Sequence, residues 1–169
     1  DVESLVKSSF LSWFQAISSS TPSMSLGVAS DTYTCSWGNF SMSAISQEPR
    51  IEFDNRTSAG IHNVVSSPWF GLYGAISAAT DGVRNIKDGT VDLGAERNAR
   101  ALAFGKLVQG LSHGYIAVMF DQGFVVDESL DLAVDTAELV PYTDVLAAAI
   151  SMLEEAISLS STAFTLEND

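Results

Sequence analysis

Cysteine and long apolar runs are scarce in this chain, and each shortage excludes a kind of structure. Cys35 is the only cysteine among 169 residues, so an intrachain disulfide and a thiolate metal cluster are both excluded. No apolar run reaches the roughly 18 residues of a membrane span. The chain opens inside a helix-like segment without a charged or apolar leader region, so we expect any export signal to have been removed or never to have been present.

Basic residues are also scarce, and they are unevenly placed. Eight Lys and Arg stand against 21 Asp and Glu, which gives a formal net charge of −13. All eight lie within residues 1–106, beside ten acids, whereas residues 107–169 contain eleven acids and no Lys or Arg. Binding to nucleic acid or to an anionic membrane surface depends on clustered Lys and Arg. The sequence therefore predicts no nucleic-acid partner and no direct docking on lipid.

The composition is that of a globular chain rich in small residues. Hydrophobic residues make up 46% of the sequence and charged residues only 17%. A chain of this length buries roughly two-thirds of the surface exposed by its unfolded form, which is enough for a stable core. Its many Ala, Ser and Gly residues favour closely packed helices.

Apolar residues at three- and four-residue spacing predict helices in the first half of the chain. The first helix is expected from Val2 to about Ser19, ended by the serine-rich run before Pro22. Short helices are expected within 23–31 and 58–65. Ser67–Pro68 has the features of a fresh helix start, with serine as N-cap and proline at the first helical position, and Asp88–Gly89 is placed to end that helix.

The second half of the chain predicts two longer helices joined by an acidic loop. The first is expected from Gly94 to about Asp121, and its small residues let neighbouring helices approach closely. The loop is expected from Gly123 to Val140, and Pro141 opens a final helix that ends within 158–162. The predicted fold class is therefore all-α, with tetratricopeptide-like antiparallel helix pairs.

Residues 31–54 do not follow any helical pattern, and they are too long for an ordinary connection. Aromatic and amide side chains are concentrated there without a period of 3.6 or a sustained period of two, so burial of one regular face does not explain them. We predict an irregular loop inserted at 31–57 that contributes a ligand-binding surface. The candidate binding residues are Asp31, Tyr33, Trp37, Asn39, Phe40 and Arg50.

Two interpretations of this loop stay open. Carbohydrate C–H faces pack on Trp and Tyr rings while amides and carboxylates bond the hydroxyls, so Trp37, Asn39 and Asp31 are suited to a sugar site. In the other interpretation, Trp37 and Phe40 pin a long loop to the helices. Trp69 and Tyr73 are expected in the core, because they stand at the start of a regular amphipathic helix.

Four segments, in the same order along the chain, resemble the N-terminal part of the SusD/RagB family. They are Val2–Phe14, Ser36–Phe40 leading to Gln47–Arg50, Pro68–Thr80, and Ala99–Phe104 with the helix that follows. The resemblance implies a tetratricopeptide-like N-terminal region of an outer-membrane lipoprotein. Such proteins bind glycans or other nutrients at the cell surface and sit as a lid on a TonB-dependent, SusC-like transporter.

The chain departs from this family in two respects. Family members have several hundred residues, so residues 1–169 are expected to be a single helical domain forming the N-terminal portion of a larger SusD-like protein. The sequence also does not contain the lipidated N-terminal cysteine of the family, since Cys35 is internal. Membrane association is therefore expected only through a lipid anchor that would belong to the full-length protein. The implied location is the outer membrane, at the cell surface.

Catalysis and metal binding have less support. His62 and His113 are the only histidines, and no Ser/His/Asp order or nucleophile elbow accompanies them. Neighbouring carboxylates occur as Asp127–Glu128 and Glu154–Glu155. Glycoside hydrolysis depends on the distance between two carboxylates in space, which a sequence does not give, and both pairs are expected to face solvent. The acids at 127, 131 and 135 lack the spacing of a calcium loop. We predict neither an enzyme nor a cofactor or metal site.

The sequence thus favours a SusD-like nutrient-binding protein that binds an oligosaccharide and hands it to the transporter without chemistry of its own. The alternative, from another class, is a helical-repeat scaffold whose helix faces bind another protein and whose loop is merely structural. An enzyme comes third.

Overall fold

A computed structural model describes residues 2–18, 20–35, 42–49, 54, 56–59, 61–131, 134–161 and 164. Helices account for 69% of the structure and strands for 4%, which confirms the predicted all-α class. Among the described residues, no helix has the combination of length and hydropathy needed to cross a bilayer.

The elements follow one another as a run of helices interrupted by a small sheet. Their bounds are α1 Val2–Ser18, α2 Ser20–Ala29, α3 Met42–Ile45, α4 His62–Lys87, α5 Ala95–Met119, β1 Gln122–Phe124, β2 Leu139–Pro141 and α6 Tyr142–Ser160. The strands β1 and β2 are antiparallel, with Gly123 opposite Val140.

The chain forms two compact units, and α1 and α4 each contribute to both. The larger unit comprises Asp1–Trp13 and Leu72–Asp169, and the smaller unit comprises Phe14–Gly71. The prediction that residues 1–169 are one domain of a longer SusD-like protein stays a prediction.

In the larger unit, α1 packs against α4 in the antiparallel direction. Val6 is buried against Gly82 near the C-terminal end of α4, where an added Cβ would clash with the Val6 side chain. Further along α1, Phe10 and Trp13 pack on a cluster that includes Ala75, about two turns earlier in α4. The missing Cβ at Gly82 therefore lets the two helices approach closely.

Helix α5 contacts both of these helices. Its N-terminal part faces the start of α1, where Glu3 pairs with Arg97 and Arg100. Its middle faces α4, and the Gln109 amide donates a 2.9 Å hydrogen bond to Thr80 Oγ1. Burial by itself raises the pKa of Glu3, but its two arginine partners lower it below the ordinary value.

Helix α6 packs antiparallel on another side of α5. The end of α5 and the start of α6 are joined by the paired strands, since Gln122 lies opposite Pro141. Gly110, nine residues before the end of α5, faces Leu153 in the second half of α6. The contact therefore moves toward the N-terminus of α5 as α6 proceeds toward its C-terminus. The buried face of α6 consists of Val145, Ala149, Met152 and Ala156.

The smaller unit has a core of its own. Its buried members are Val28, Met42, Ile45 and Ile61, and Cys35, Ala59 and Val64 pack against them. These residues come from α2, α3, the start of α4 and the segments between, so the inserted region is supported by apolar contacts at its described positions.

The prediction that Pro68 opens a helix is wrong. Helix α4 begins at His62, and Pro68 lies inside it, fully buried. Proline cannot donate the hydrogen bond to the carbonyl four residues earlier, so its position has a local cost. We attribute the continuous helix to burial of this turn, which outweighs the preference of proline for a first turn.

Candidate functional site

The six residues predicted to bind ligand are only partly described by the structure. Trp37, Asn39, Phe40 and Arg50 lie outside the described residues, so their predicted role stays a prediction. Asp31 and Tyr33 are described, and both follow directly on the C-terminal end of α2.

Asp31 ends helix α2 by adopting a left-handed backbone conformation, with φ of 59°. Its N–H donates to the carbonyl of Val28 at 3.2 Å, and the N–H of Thr32 donates to the carbonyl of Gly27 at 3.0 Å. This pair of bonds is the Schellman arrangement of a helix C-terminus, in which the left-handed residue is usually Gly. Asp tolerates that conformation better than most side chains do. The site prediction missed this structural role of Asp31.

Tyr33 lies against the last turn of α2 with much of its side chain in solvent. The residue is 64% exposed, and a Cβ added at Gly27 would lie 2.7 Å from ring atom Cδ2 and 2.9 Å from Cε2. The Tyr33 N–H also donates to the Gly27 carbonyl at 3.1 Å. Gly27 therefore makes room for the ring, and the ring is positioned on the helix end without being buried in a core.

The chain beyond Tyr33 is fixed by a hydrogen bond from the residue that follows the next helix, α3. Ser46, just after α3, donates from Oγ to the carbonyl of Cys35 at 2.9 Å. The half-buried Cys35 also packs against the core of the smaller unit. Residues 31–35 are thus held at both ends, by the Schellman bonds and by this contact.

A second polar site lies in the larger unit, where residues 122–131, here called the tethered segment, are bound to α4 and α5. The Tyr73 hydroxyl accepts from the Phe124 N–H at 2.6 Å and donates to the Phe124 carbonyl at 3.0 Å. Arg84 donates to the carbonyls of Glu128 at 3.2 Å and Leu130 at 2.6 Å. Tyr73 is half-buried, and burial raises its pKa to about 12.

Four side chains form a charge cluster at the end of this segment, with each lysine bonded to both glutamates. Lys106 Nζ lies 2.8 Å from Glu128 and 3.0 Å from Glu155, and Lys87 Nζ lies 2.5 Å from Glu128 and 2.8 Å from Glu155. Lys106 is only 3% exposed. A buried ammonium group requires compensation by carboxylates, and this four-charge cluster supplies two.

The cluster shifts the protonation of its carboxylates. Burial by itself raises the pKa of Glu128, but hydrogen bonds from Lys106 and Lys87 outweigh it and lower the pKa to about 2. The same balance of burial and lysine hydrogen bonds lowers the pKa of Glu155. Both carboxylates are therefore ionised at neutral pH and fully engaged with the lysines.

His113 is also used to fix the tethered segment. It is completely buried, and its Nε2 accepts the N–H of Val126 at 3.1 Å while Nδ1 lies 2.8 Å from the Gln109 carbonyl. An acceptor at Nε2 requires the proton to sit on Nδ1, so the ring is neutral and donates to that carbonyl. Burial lowers the pKa of His113, which keeps this tautomer at neutral pH.

The expectation that Glu128 faces solvent is wrong, since its side chain is largely buried against Lys87 and Lys106. The sequence does not predict this cluster because its members are far apart along the chain. Glu128 and Lys106 are separated by 22 residues and Lys87 and Glu155 by 68. One signal was available. Lys106 stands between apolar residues of a predicted central helix, and a basic residue in that position needs an acidic partner from elsewhere.

No protein-family model matches the chain, and no curated protein or solved structure matches it either.

Proposed function

We propose that the chain is the tetratricopeptide-like N-terminal portion of a SusD-like protein that binds an oligosaccharide at the cell surface. It hands this nutrient to a TonB-dependent, SusC-like transporter of the outer membrane, where the full-length protein is held by a lipid anchor. The order of the four segments that resemble the SusD/RagB family supports this proposal, together with an all-α fold whose long excursion falls between α1 and α4.

The observation that carries the binding proposal is the exposed ring of Tyr33. A tyrosine that served only to pin the loop would be buried, whereas this ring is mostly open to solvent and rests by one edge on Gly27. A ring already held in place loses little conformational freedom when a sugar stacks on it. Asp31, two residues earlier, adds a carboxylate that accepts hydrogen bonds from sugar hydroxyls.

Isothermal titration calorimetry with a panel of defined oligosaccharides tests this proposal. We expect Tyr33→Ala to weaken the binding of any oligosaccharide found by about ten-fold, since lost stacking and apolar contact cost roughly 1–1.5 kcal/mol. Tyr142→Ala is the control, because it removes another exposed tyrosine, at the start of α6. Equal affinity of the Tyr33→Ala protein and the wild type would exclude Tyr33 from the site.

Asp31→Gly separates ligand binding from folding. Glycine is the preferred residue at the left-handed position after a helix, so this change removes the carboxylate and leaves the Schellman bonds intact. We expect a folded protein with the helix content of the wild type, together with weaker sugar binding. If both stability and affinity are unchanged, Asp31 serves only to end α2.

The sequence-based members of the site are tested in the same titrations. Trp37→Ala is expected to weaken oligosaccharide binding and to remove the ligand-induced quenching of tryptophan fluorescence. Copurification of the full-length protein with its transporter tests the partner. The location is tested by labelling of intact cells.

A helical-repeat scaffold is the second candidate function, and it is favoured by a different observation. Apolar side chains of α6 are exposed at Leu146, Ile150 and Ile157, on a helix that already buries another face against α5. If this candidate is correct and the first is not, no oligosaccharide binds, and substitution of Tyr33 has no effect on binding.

A further inference from the structure

Helix α6 has two apolar faces, and only one of them is packed against α5. Val145, Ala149, Met152 and Ala156 form the packed face. A second row, about 100° further round the helix, consists of Tyr142, Leu146, Ile150 and Ile157 at four- and seven-residue spacing, all of them exposed. Ile157 is 72% exposed. A surface helix normally has a single apolar stripe, so the second row requires a separate explanation.

Helix α5 extends this second row into a broader surface. Gly110, Gly114 and Val118 follow one another at four-residue spacing and therefore share one side of α5. Leu153 of α6 lies against Gly110, whereas a Cβ added at Gly114 would meet no atom within 4 Å. Val118, one turn further, is 81% exposed. Because α5 and α6 are antiparallel, these two positions lie beside the Tyr142 and Leu146 end of α6.

We call this surface the open face and define it by Gly114, Val118, Tyr142, Leu146, Ile150 and Ile157. Its row on α6 spans 15 residue steps, which is roughly 22 Å or about four helical turns. The empty space at Gly114 admits the close approach of another backbone. These dimensions fit one helix of about four turns laid along α6.

The charge around the open face determines which helix fits. Residues 107–169 contain eleven acids and no Lys or Arg, but Glu128 and Glu155 among them are paired with Lys87 and Lys106. Beside the open face, Glu154 is an exposed acid that borders the Ile150 row. The exposed Asp121 lies at the Tyr142 end, where its carbonyl accepts the Tyr142 N–H at 2.9 Å. A second copy of this chain would bring the same acidic surface against itself, and like charges brought together at an interface are costly. An anionic lipid surface is repelled for the same reason.

We propose that the open face binds an amphipathic α-helix of a partner protein that carries Lys or Arg beside its apolar stripe. Apolar side chains of that helix occupy the gap at Gly114 and cover the row on α6, while its basic residues face the acids at the rim. In this binding mode an amphipathic helix lies in an apolar groove, and its side chains at three- and four-residue spacing make the main contacts. The proposal does not depend on oligosaccharide binding.

The probe is a fluorescein-labelled 18-residue peptide with Leu at helical three- and four-residue spacing and Lys flanking that stripe. A second peptide has Glu in place of Lys, and a third has the same composition with the Leu positions scrambled. Fluorescence polarisation with the full chain is expected to give binding at least ten-fold tighter for the first peptide than for either control. Equal binding of the scrambled peptide would reduce the effect to charge alone and overturn the proposal.

Variants of the protein locate the binding surface. Ile150→Ser is expected to weaken binding of the Lys peptide at least five-fold, whereas Val134→Ser, at an exposed valine that is not part of the open face, leaves it unchanged. Gly114→Leu fills the open space without removing any contact, and it is expected to weaken binding at least ten-fold while the helix content is kept and the melting temperature is kept or raised. Unchanged binding by the Gly114→Leu protein would place the peptide elsewhere.

Light scattering of the chain alone tests the competing occupant. We expect a monomer at concentrations up to about 100 μM. A dimer that dissociates on Ile150→Ser substitution would show that the open face is covered by a second copy and would overturn the proposal.

Discussion

Replacement of Glu128 by Gln removes one charge from the four-charge cluster without a change of shape. Lys106 and Lys87 then share Glu155 alone, and Lys106 stays buried beside an amide oxygen in place of a carboxylate. Breaking a buried ion pair costs roughly 3–5 kcal/mol when no other counter-charge is present. Because Glu155 remains, we expect a smaller loss.

The pKa of Glu128 gives the magnitude and the pH window. Its fall from 4.5 to about 2 on folding corresponds to at most about 3 kcal/mol, and solvent screening reduces this to about 2 kcal/mol. Since the folded pKa lies below the unfolded value, this stabilisation is fully present above about pH 4.5 and is lost as the pH falls toward 2. A protonated Glu128 side chain resembles the neutral glutamine of the variant, so the two proteins become equally stable in acid.

Urea unfolding of the wild type and of Glu128→Gln, followed by circular dichroism at low salt, measures this difference. We expect about 2 kcal/mol at pH 7 and less than about 1 kcal/mol at pH 3. Glu154→Gln makes the same chemical change at the exposed neighbour of Glu155 and is expected to alter stability by less than about 0.5 kcal/mol. A difference that is equal at pH 7 and pH 3 would refute the assignment of this stabilisation to the Glu128 charge.

Two further predictions concern helix α5. Gly110→Ala is expected to destabilise the fold by about 1–3 kcal/mol, because the new Cβ would lie 2.6 Å from Leu153 Cγ. Gly114→Ala places its Cβ in open space and is expected to stabilise the fold by about 0.5–1 kcal/mol, because Ala favours the helix over Gly. Thermal melts of the two variants measure this, and effects of the same sign would contradict the packing. Burial lowers the pKa of His113 in the folded state, so wild-type stability is expected to fall as the pH drops below about 6.5, and His113→Gln is expected to flatten that dependence. Urea unfolding at pH 7.5, 6.5 and 5.5 measures how the free energy of unfolding depends on pH. The same dependence in wild type and variant would exclude His113 as its source.

Helices that are specified by local signals were predictable from the sequence. The expected helix from Gly94 to about Asp121 is observed as Ala95–Met119, and the stop expected at Asp88–Gly89 is observed, with Gly89 at φ of 77°. The periodicity of apolar residues and the conformational freedom of glycine act over a few residues, so both appear in a short window of sequence.

Features that depend on tertiary contacts were not predictable in this way. Pro68 lies within α4 although its local preference is for a first turn. The three-residue strands are too short to show a period of two, and β1 is held by the hydroxyl of Tyr73, 51 residues away along the chain. Gly123 in β1 is required because Ile116 and Val145 leave no space for a side chain there.

The candidate site illustrates the same limit at single residues. The chemical type of Asp31 predicts a ligand for hydroxyls, whereas its backbone conformation also makes it the residue that ends α2. The aromatic neighbours of Tyr33 predict a ligand-binding ring, but the exposure of that ring and its contact with Gly27 depend on how α2 ends. Residue type alone therefore selects candidate residues, and the geometry of the helix end determines which groups each of them contacts.

The bonds that hold the tethered segment have a consequence for how its amide hydrogens exchange with solvent. The N–H groups of Phe124 and Val126 are bonded to side chains of α4 and α5, not to neighbours in a long sheet. Opening either bond separates Tyr73 or His113 from its partner and so disturbs the core of the larger unit. Amides in a connection of this kind would exchange at rates near those of the central helices, far below those of an ordinary surface loop.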